Sequence, residues 1–393
     1  MQDADDLYLD RYEGWYSVRD EAFYDESELV ESEGGEKQSP QGTPVEWTAE
    51  ETWFFRLSRY QEPLLALYRD NPDFIRPESR RNEVMRFVEG GLKDLSVSRT
   101  SFDWGVPVPG SPDHVMYVWV DALTTYMTGV GYPDLGGEFA RYWPANVHLI
   151  GKDIVRFHAV YWPAFLMSAK LPLPRQVFAH GFLLSRGEKM SKSIGNVVDP
   201  MALAERFGVD ALRYFLLREV PFGQDGSYSA EAIVNRANAE LANSFGNLAQ
   251  RTLSMIHKNL DGILPAAGEA GVDRELLAVV EEATRREVPD AFNRFAFSVG
   301  IETWLRAVFA CNQYVDTQAP WALRKTDPER MAAVLGTLVI AVRELTRAIA
   351  PIVPESADKL LTLIDAGEGG APIPQPTPLF PRLELPEDEE EAA

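Results

Sequence analysis

The spacing of apolar residues changes character twice along the chain, and each change predicts a different kind of structure. Up to about residue 95, apolar and aromatic positions are scattered among polar ones, with turn signals at Glu33-Gly34-Gly35 and Pro40-Gln41-Gly42. The run VEWTAEETWFF reads as a strand followed by a second strand or a helix. PLLALYRDNPDFI reads as a helix that stops at Asn71-Pro72, because proline disfavours helical geometry in the residue before it. This stretch is predicted to be a small α+β module. From about 96, short apolar runs alternate with helical spacing. HVMYVWV is predicted as a strand ending at Trp119, DALTTYMTGV as a helix and NVHLI as a second strand. Residues 154–169 read as a helix capped by Asp153, and QVFAHGFLL as a third strand. Such strands, separated by helices, predict a parallel sheet covered on both faces, with ligands at the carboxyl ends of its strands.

From about 199 to 365 the i, i+3, i+4 recurrence takes over. Asp199-Pro200 is an N-cap and N1 pair for MALAERFGVDALRYFLL, and three longer periodic runs follow it. They predict an antiparallel helix bundle. Beyond about 366 the sequence is rich in Gly and Pro and then acidic, which predicts a poorly ordered tail. No internal repeat is visible.

Composition narrows this picture. The single cysteine, Cys311, excludes a disulfide framework and a cysteine-rich zinc site. No apolar run is long enough to cross a bilayer and the start lacks signal-peptide features, so a cytoplasmic protein with no membrane partner is expected. The net charge of −22 argues against nucleic acid at first sight, since phosphate attracts lysine and arginine. The charge is uneven, however. Residues 1–70 hold 18 acidic and 6 basic side chains, while residues 141–220 hold 6 acidic and 11 basic ones. An acidic shell around a basic middle permits a local polyanion site without demonstrating one.

The strongest chemical signal is Lys189-Met190-Ser191-Lys192-Ser193, followed by Ile194-Gly195-Asn196, placed after a strand and before a capped helix with Gly187 and Gly195 as hinges. Two lysines and two hydroxyls on a mobile loop suit a polyphosphate whose charge grows as a bond breaks. The pentapeptide matches the KMSKS signature of class I aminoacyl-tRNA synthetases, and the resemblance extends over nearly the whole chain. It implies that Lys192 and Lys189 are catalytic, and that both bind ATP together with Ser191 and with Asp153 near the ribose. ATP with Mg2+ is then a substrate.

Two further segments resemble the methionine-specific branch of that class. In YVWVDAL, Trp119 is followed by Ala122 and Tyr126, four apart on one helix face; in GKDIVRFH, Ile154 and His158 have the same spacing. Any one of these residues alone reads more simply as core. Together, in this order before KMSKS, they resemble the family's methionine pocket. Aromatic walls suit a thioether, whose burial is worth roughly 1.5–3 kcal/mol. The helical region resembles the family's anticodon-binding domain. Asn247 and Arg251 stand at i and i+4, and Pro320-Trp321 opens a helix. An indole stacked on a splayed base contributes roughly 1–3 kcal/mol. Trp304 is expected to be a packing residue instead.

The resemblance implies an α/β plus all-α fold, with a partial Rossmann-type parallel sheet, a connective α+β insertion and a helical anticodon-binding bundle. The expected divisions are residues 1–95 for the insertion, 96–185 for the second half of the catalytic sheet and 186–230 for the KMSKS loop and linking helices. The anticodon-binding domain follows at 231–366 and the tail at 367–393. The insertion often carries zinc knuckles in this family. Here it has no cysteine, so no structural zinc is expected and its turns are assigned to Trp15, Tyr16 and Asp20. The other class I signature, HIGH, does not occur; HLIG at 148–151 belongs to the methionine segment. Met1 therefore reads as an internal methionine of a longer protein, and the chain on its own is expected to be inactive. The expected partners are L-methionine, ATP and tRNA(Met), and a missing N-terminal half supplied in trans is a further candidate. A non-catalytic tRNA-binding protein and one half of a split synthetase are the competing readings.

Overall fold

A computed structural model describes residues 1–19, 22–32, 34–101, 103–185, 187–190 and 197–385. The chain forms two compact units, Met1–His180 and Gly181–Ala393.

The first unit opens with a long antiparallel pair. Leu7–Ser17 runs against Glu46–Phe55 from Leu7 opposite Phe55 to Tyr16 opposite Glu46, with Ala22–Tyr24 and Leu95–Ser96 on the flanks. VEWTAEETWFF is thus one strand. Trp15 and Tyr16 lie inside the strand and do not build the turns as expected; Asp20 lies outside the described residues. A buried hydroxyl cluster holds the turn instead. Thr43 Oγ1 is 2.7 Å from both Ser17 Oγ and Ser39 Oγ, and the Ser39 amide donates to the Thr43 carbonyl at 2.8 Å. The helix Gln61–Asp70 ends where Asn71-Pro72 predicts.

The parallel sheet has three strands, with Val177–His180 between His148–Gly151 and Ile75–Arg76. Its third strand comes from within the stretch read as a separate module. The predicted strand HVMYVWV is in a different, antiparallel sheet: Ser111–Met116 pairs with Ser98–Arg99 and Pro107–Val108. Phe55, Leu64, Ile75, Leu123, Ala159 and Val177 are fully buried in the core of this unit.

In the second unit Leu183–Ser185 pairs antiparallel with Glu188–Lys189 and parallel with Gly226–Tyr228. QVFAHGFLL therefore contributes strands to two sheets and breaks at Gly181-Phe182. Asp199 caps the helix Pro200–Phe207 by accepting from the Met201 amide at 2.9 Å. Gly208, at φ 86°, ends that helix, so MALAERFGVDALRYFLL is two helices, the second spanning Val209–Arg218. A side chain at that φ would be strained, and glycine is not.

The bundle follows. A continuous helical run comprises Ala230–Arg236, the π-helical Ala237–Gly246 and Asn247–Asn259. It packs with Gly271–Glu282, Phe297–Gln318, Pro328–Ile349 and Pro354–Asp365 around a core of Leu253, Trp304, Val308, Leu335 and Val342. Asp273 is wholly buried and pins three of these helices. It accepts from Tyr314 Oη at 2.5 Å and from the two Arg330 terminal nitrogens at 2.5 and 2.7 Å.

The stretch expected to be a loose tail is docked as far as residue 385. Ile373 donates to the Gly262 carbonyl at 2.9 Å, and Leu383 and Asn238 exchange two hydrogen bonds of 2.9 Å. Ile373, Leu379 and Phe380 join the bundle core. The prolines and glycines hide a recurring apolar residue, and burial of those residues offsets the cost of ordering the segment.

Candidate functional site

Trp119 does not end a strand. The Tyr117 amide still bonds to the Val97 carbonyl at 2.9 Å, but the Val120 amide already donates to the Tyr117 carbonyl at 2.8 Å. The helix Val118–Thr128 has therefore begun, and Trp119, Ala122 and Tyr126 lie along one side of it at i, i+3 and i+7.

The second segment leaves the carboxyl end of the parallel strand His148–Gly151. Asp153 is not a helix cap. Gly151 occupies the extended cap position, and Asp153 sits exposed in a 3₁₀ turn, Lys152–Ile154, with its carboxylate folded back over Gly151. A Cβ at Gly151 would lie 2.6 Å from Asp153 Oδ1, so glycine is required for that approach. The predicted regular helix is instead the 3₁₀ turn, a π-helical stretch Phe157–Tyr161 and the helix Trp162–Ser168. Pro163 has no amide to continue regular α bonding, and the wider i→i+5 turn lies just before it.

These two segments meet. Tyr126 Oη is 2.7 Å from His158 Nε2, and His158 Nδ1 is 3.0 Å from the Ile154 carbonyl. The carbonyl can only accept, so Nδ1 carries the proton, Nε2 accepts, and the Tyr126 hydroxyl donates. Burial holds the His158 pKa below the usual imidazole value, with the bond to the Ile154 carbonyl opposing it. The ring is therefore neutral at physiological pH. Trp119 lies edge-on to His158 at 5.9 Å and stacks on Phe157 at 3.9 Å with planes 9° apart. Trp119, Tyr126, Ile154 and His158 are thus brought together, with the Tyr126 hydroxyl and both His158 nitrogens hydrogen-bonded, and Ala122 lies on the same helix side as Trp119 and Tyr126.

Sequence reasoning missed four aromatic neighbours: Phe157, Trp143, Trp162 and His148. Tyr126 packs against the His148 ring at 4.2 Å, and Trp162 Nε1 donates to His148 Nε2 at 3.2 Å. Trp143 stands 6.0 Å from both His148 and Trp162. Phe157 and Trp162 differ from His158 by one and four positions, which was an available signal. Nothing in the apolar run NVHLI distinguishes its histidine.

Of the KMSKS signature, Lys189 is placed by its backbone in the Glu188–Lys189 strand, opposite Leu184. Ser191 and Lys192 lie outside the described residues. Gly187, at φ 81°, lies between the two arms of that hairpin.

In the bundle, the Arg251 guanidinium stands over the Trp321 ring at 5.3 Å, and its Nη2 is 3.8 Å from Asp316 Oδ1. Trp321 is 49% exposed and Asn247, one turn before Arg251, is exposed as well. Trp304 is fully buried and donates to the Leu345 carbonyl at 2.9 Å, as a packing residue should. Asp316, five residues before Trp321, was not anticipated. Among the described residues no cluster of histidine, cysteine and carboxylate side chains could hold a metal ion.

A family model described as tRNA synthetases class I (M) matches residues 1–253, and one described as anticodon binding domain of methionyl tRNA ligase matches 264–376. The methionine–tRNA ligase of Brucella melitensis is 56% identical over 391 residues, which cover 96% of this chain and 76% of that one. The Mycobacterium tuberculosis protein of the same name is 56% identical over 409 residues, covering 99% and 79%. The structure of Mycobacterium tuberculosis methionyl-tRNA synthetase in complex with methionyl-adenylate superposes with a TM-score of 0.92 at 56% identity, covering 97% of this chain and 78% of that one.

Proposed function

The chain belongs to the class I methionyl-tRNA synthetases, and from that membership we propose how its residues share the work of a methionine–tRNA ligase. A carboxylate oxygen of L-methionine attacks the α-phosphorus of ATP, the bond to the bridging oxygen breaks and pyrophosphate leaves. A ribose hydroxyl at the 3′ end of tRNA(Met) then attacks the carbonyl carbon of the adenylate, and AMP departs.

In this reading Trp119, Ala122, Tyr126, Ile154 and His158 receive the methionine side chain. The observation that carries it is the closed chain from Tyr126 to His158 to the Ile154 carbonyl beside the Trp119 ring. A thioether carries no charge and is only a weak acceptor. Neutral aromatic surroundings in which the Tyr126 hydroxyl and both His158 nitrogens are already hydrogen-bonded fit it, and a charged side chain entering there would lose its hydration without compensation.

Lys189, Ser191 and Lys192 bind the ATP phosphates, and Lys192 stabilises the departing pyrophosphate. Asp153, exposed beyond a parallel strand, stands by the ribose. Mg2+ accompanies the ATP. Asn247, Arg251 and Trp321 read the anticodon, with the exposed indole as stacking face and the arginine already beside it. The insertion holds its fold without zinc, through the Ser17–Thr43–Ser39 cluster. Residues 1–95 serve as the insertion, apart from the strand Ile75–Arg76, which joins the half-sheet of 96–185; 186–230 serve as signature loop with linking helices, and 231–366, with the segment docked after it, as anticodon-binding domain. No helix among the described residues is long and apolar enough to cross a membrane; the site of action proposed from the family membership is the cytoplasm.

The test is exchange of labelled pyrophosphate into ATP by the full gene product, with L-methionine, L-leucine and L-valine offered singly. Methionine alone should support exchange, and Tyr126→Phe should raise its KM. Equal exchange with leucine would overturn the pocket assignment.

A further inference from the structure

We propose that His148, which is not among the five pocket residues, is a positioning residue for methionine recognition. Wedged behind Tyr126 and tethered by Trp162, it holds the phenol where its hydroxyl reaches His158. The inference rests on the methionine pocket proposed above.

The backbone of His148 is fixed first: its amide donates to the Gln176 carbonyl at 2.8 Å, and it pairs with Val177 in the parallel sheet. The ring is fixed next. Trp162 Nε1 can only donate, so His148 Nε2 accepts and the proton of the neutral ring belongs on Nδ1. Tyr126 leans on that ring at 4.2 Å with planes 35° apart. Tyr126 itself keeps 37% of its surface exposed, so the His148 face is a large part of what restrains it.

An alternative filler would need the same flat shape and the same absence of charge. The His148 and His158 rings are 6.2 Å apart, and a cation at one would oppose a cation at the other. Burial and that opposition push the His148 pKa down to about 4, which keeps it uncharged.

Two substitutions separate positioning from simple core filling. His148→Ala removes the face behind Tyr126, and His148→Phe keeps a face while leaving the Trp162 donor unpaired. Both should lower Tm. Only His148→Ala should raise the Kd for L-methionine, by about tenfold, the size expected for losing one net hydrogen bond and its preorganisation. The phenylalanine variant should stay within about twofold of wild type.

A ligand-free readout runs in parallel. The protein has five histidines, so 15N shifts of the imidazole nitrogens can be assigned. In His148→Ala the His158 Nε2 resonance should move toward that of the Tyr126→Phe control, and in His148→Phe it should remain at the wild-type position. If His158 shifts and methionine affinity in His148→Ala match wild type while Tyr126→Phe weakens binding, His148 is a core residue and the inference fails. If Tyr126→Phe also binds methionine normally, the pocket assignment fails with it.

Discussion

The imidazoles of His148 and His158 lie where a proton is costly, which ties the pocket to the pH dependence of stability. His148 titrates near 4 when folded and near 6.5 when exposed. Between those values the unfolded chain binds the extra proton, so stability is complete above about pH 6.5 and falls as pH drops toward 4. From pH 6.5 to 5 the loss should be roughly 1.5 kcal/mol. Urea midpoints at the two pH values measure it, and His148→Phe should lessen the slope, leaving the part that His158, also held below its usual value by burial, contributes. Lys192 makes a different claim. Its charge acts on the leaving pyrophosphate, so Lys192→Ala should slow adenylate formation in the full gene product by roughly two orders of magnitude or more, with little change in methionine affinity. Weakened methionine binding as the main effect would move Lys192 out of that role. At this scale the sequence was informative where chemistry has a spacing. Tyr126 and His158 could be named because their segments resemble the family's methionine pocket, within which the helical intervals Ala122–Tyr126 and Ile154–His158 pair them. His148 could not, because its partners Trp162 and Tyr126 come from separate elements and only the fold brings them together.

Secondary elements were legible where one period dominates, and misread where a local bond overrides it. Apolar spacing identified the helices of the bundle, and Asp199-Pro200 marked a true helix start. The same spacing ran through Gly208 and ran past Tyr117, because it does not register where backbone amides change partners. Pro40-Gln41-Gly42 marked the turn at 39–43 but not what holds it, since its cohesion is three buried hydroxyls. Thr43→Val should therefore cost about 1–3 kcal/mol, by leaving Ser17 and Ser39 short of a partner, while preserving shape. Thermal melts of the variant test this, and an unchanged Tm would mean the hydroxyls find other partners. On the bundle, two tryptophans should separate binding from folding. Trp321→Ala should remove about 1–3 kcal/mol of affinity for a CAU-anticodon stem-loop at low ionic strength, relative to a scrambled loop. Trp304→Ala should cost roughly 3–5 kcal/mol of stability.

Over the molecule as a whole, sequence and structure differ most in where the second unit ends. Periodicity places its boundary at about 366, where helical spacing stops. The docked segment carries it well past that point, through Ile373, Phe380 and the Asn238–Leu383 pair. Its other boundary also precedes 231, because Glu240 is bound from outside by Tyr214 at 2.7 Å and by Arg218 at 3.2 Å. A fragment of residues 231–366 should accordingly melt well below one of residues 181–385, and ending the latter at 366 should cost several kcal/mol, by exposing apolar surface at about 25 cal/mol per Å². Similar melting temperatures for the long and short fragments would show the docked segment to be ornamental.

That docked segment also bears on how the chain is made. Asn238 and Leu383 are 145 residues apart in sequence, and synthesis delivers roughly 5–20 residues each second. For some ten seconds or more the emerging helices have no cover for the groove that Phe380 and Leu383 will fill. Closure must wait until residues 380–383 have cleared the ribosome, so the bundle is completed well after its first helices emerge. A nascent chain stalled short of residue 380 should be nicked readily by protease near residues 238–245, and release of the remaining residues should abolish the cut.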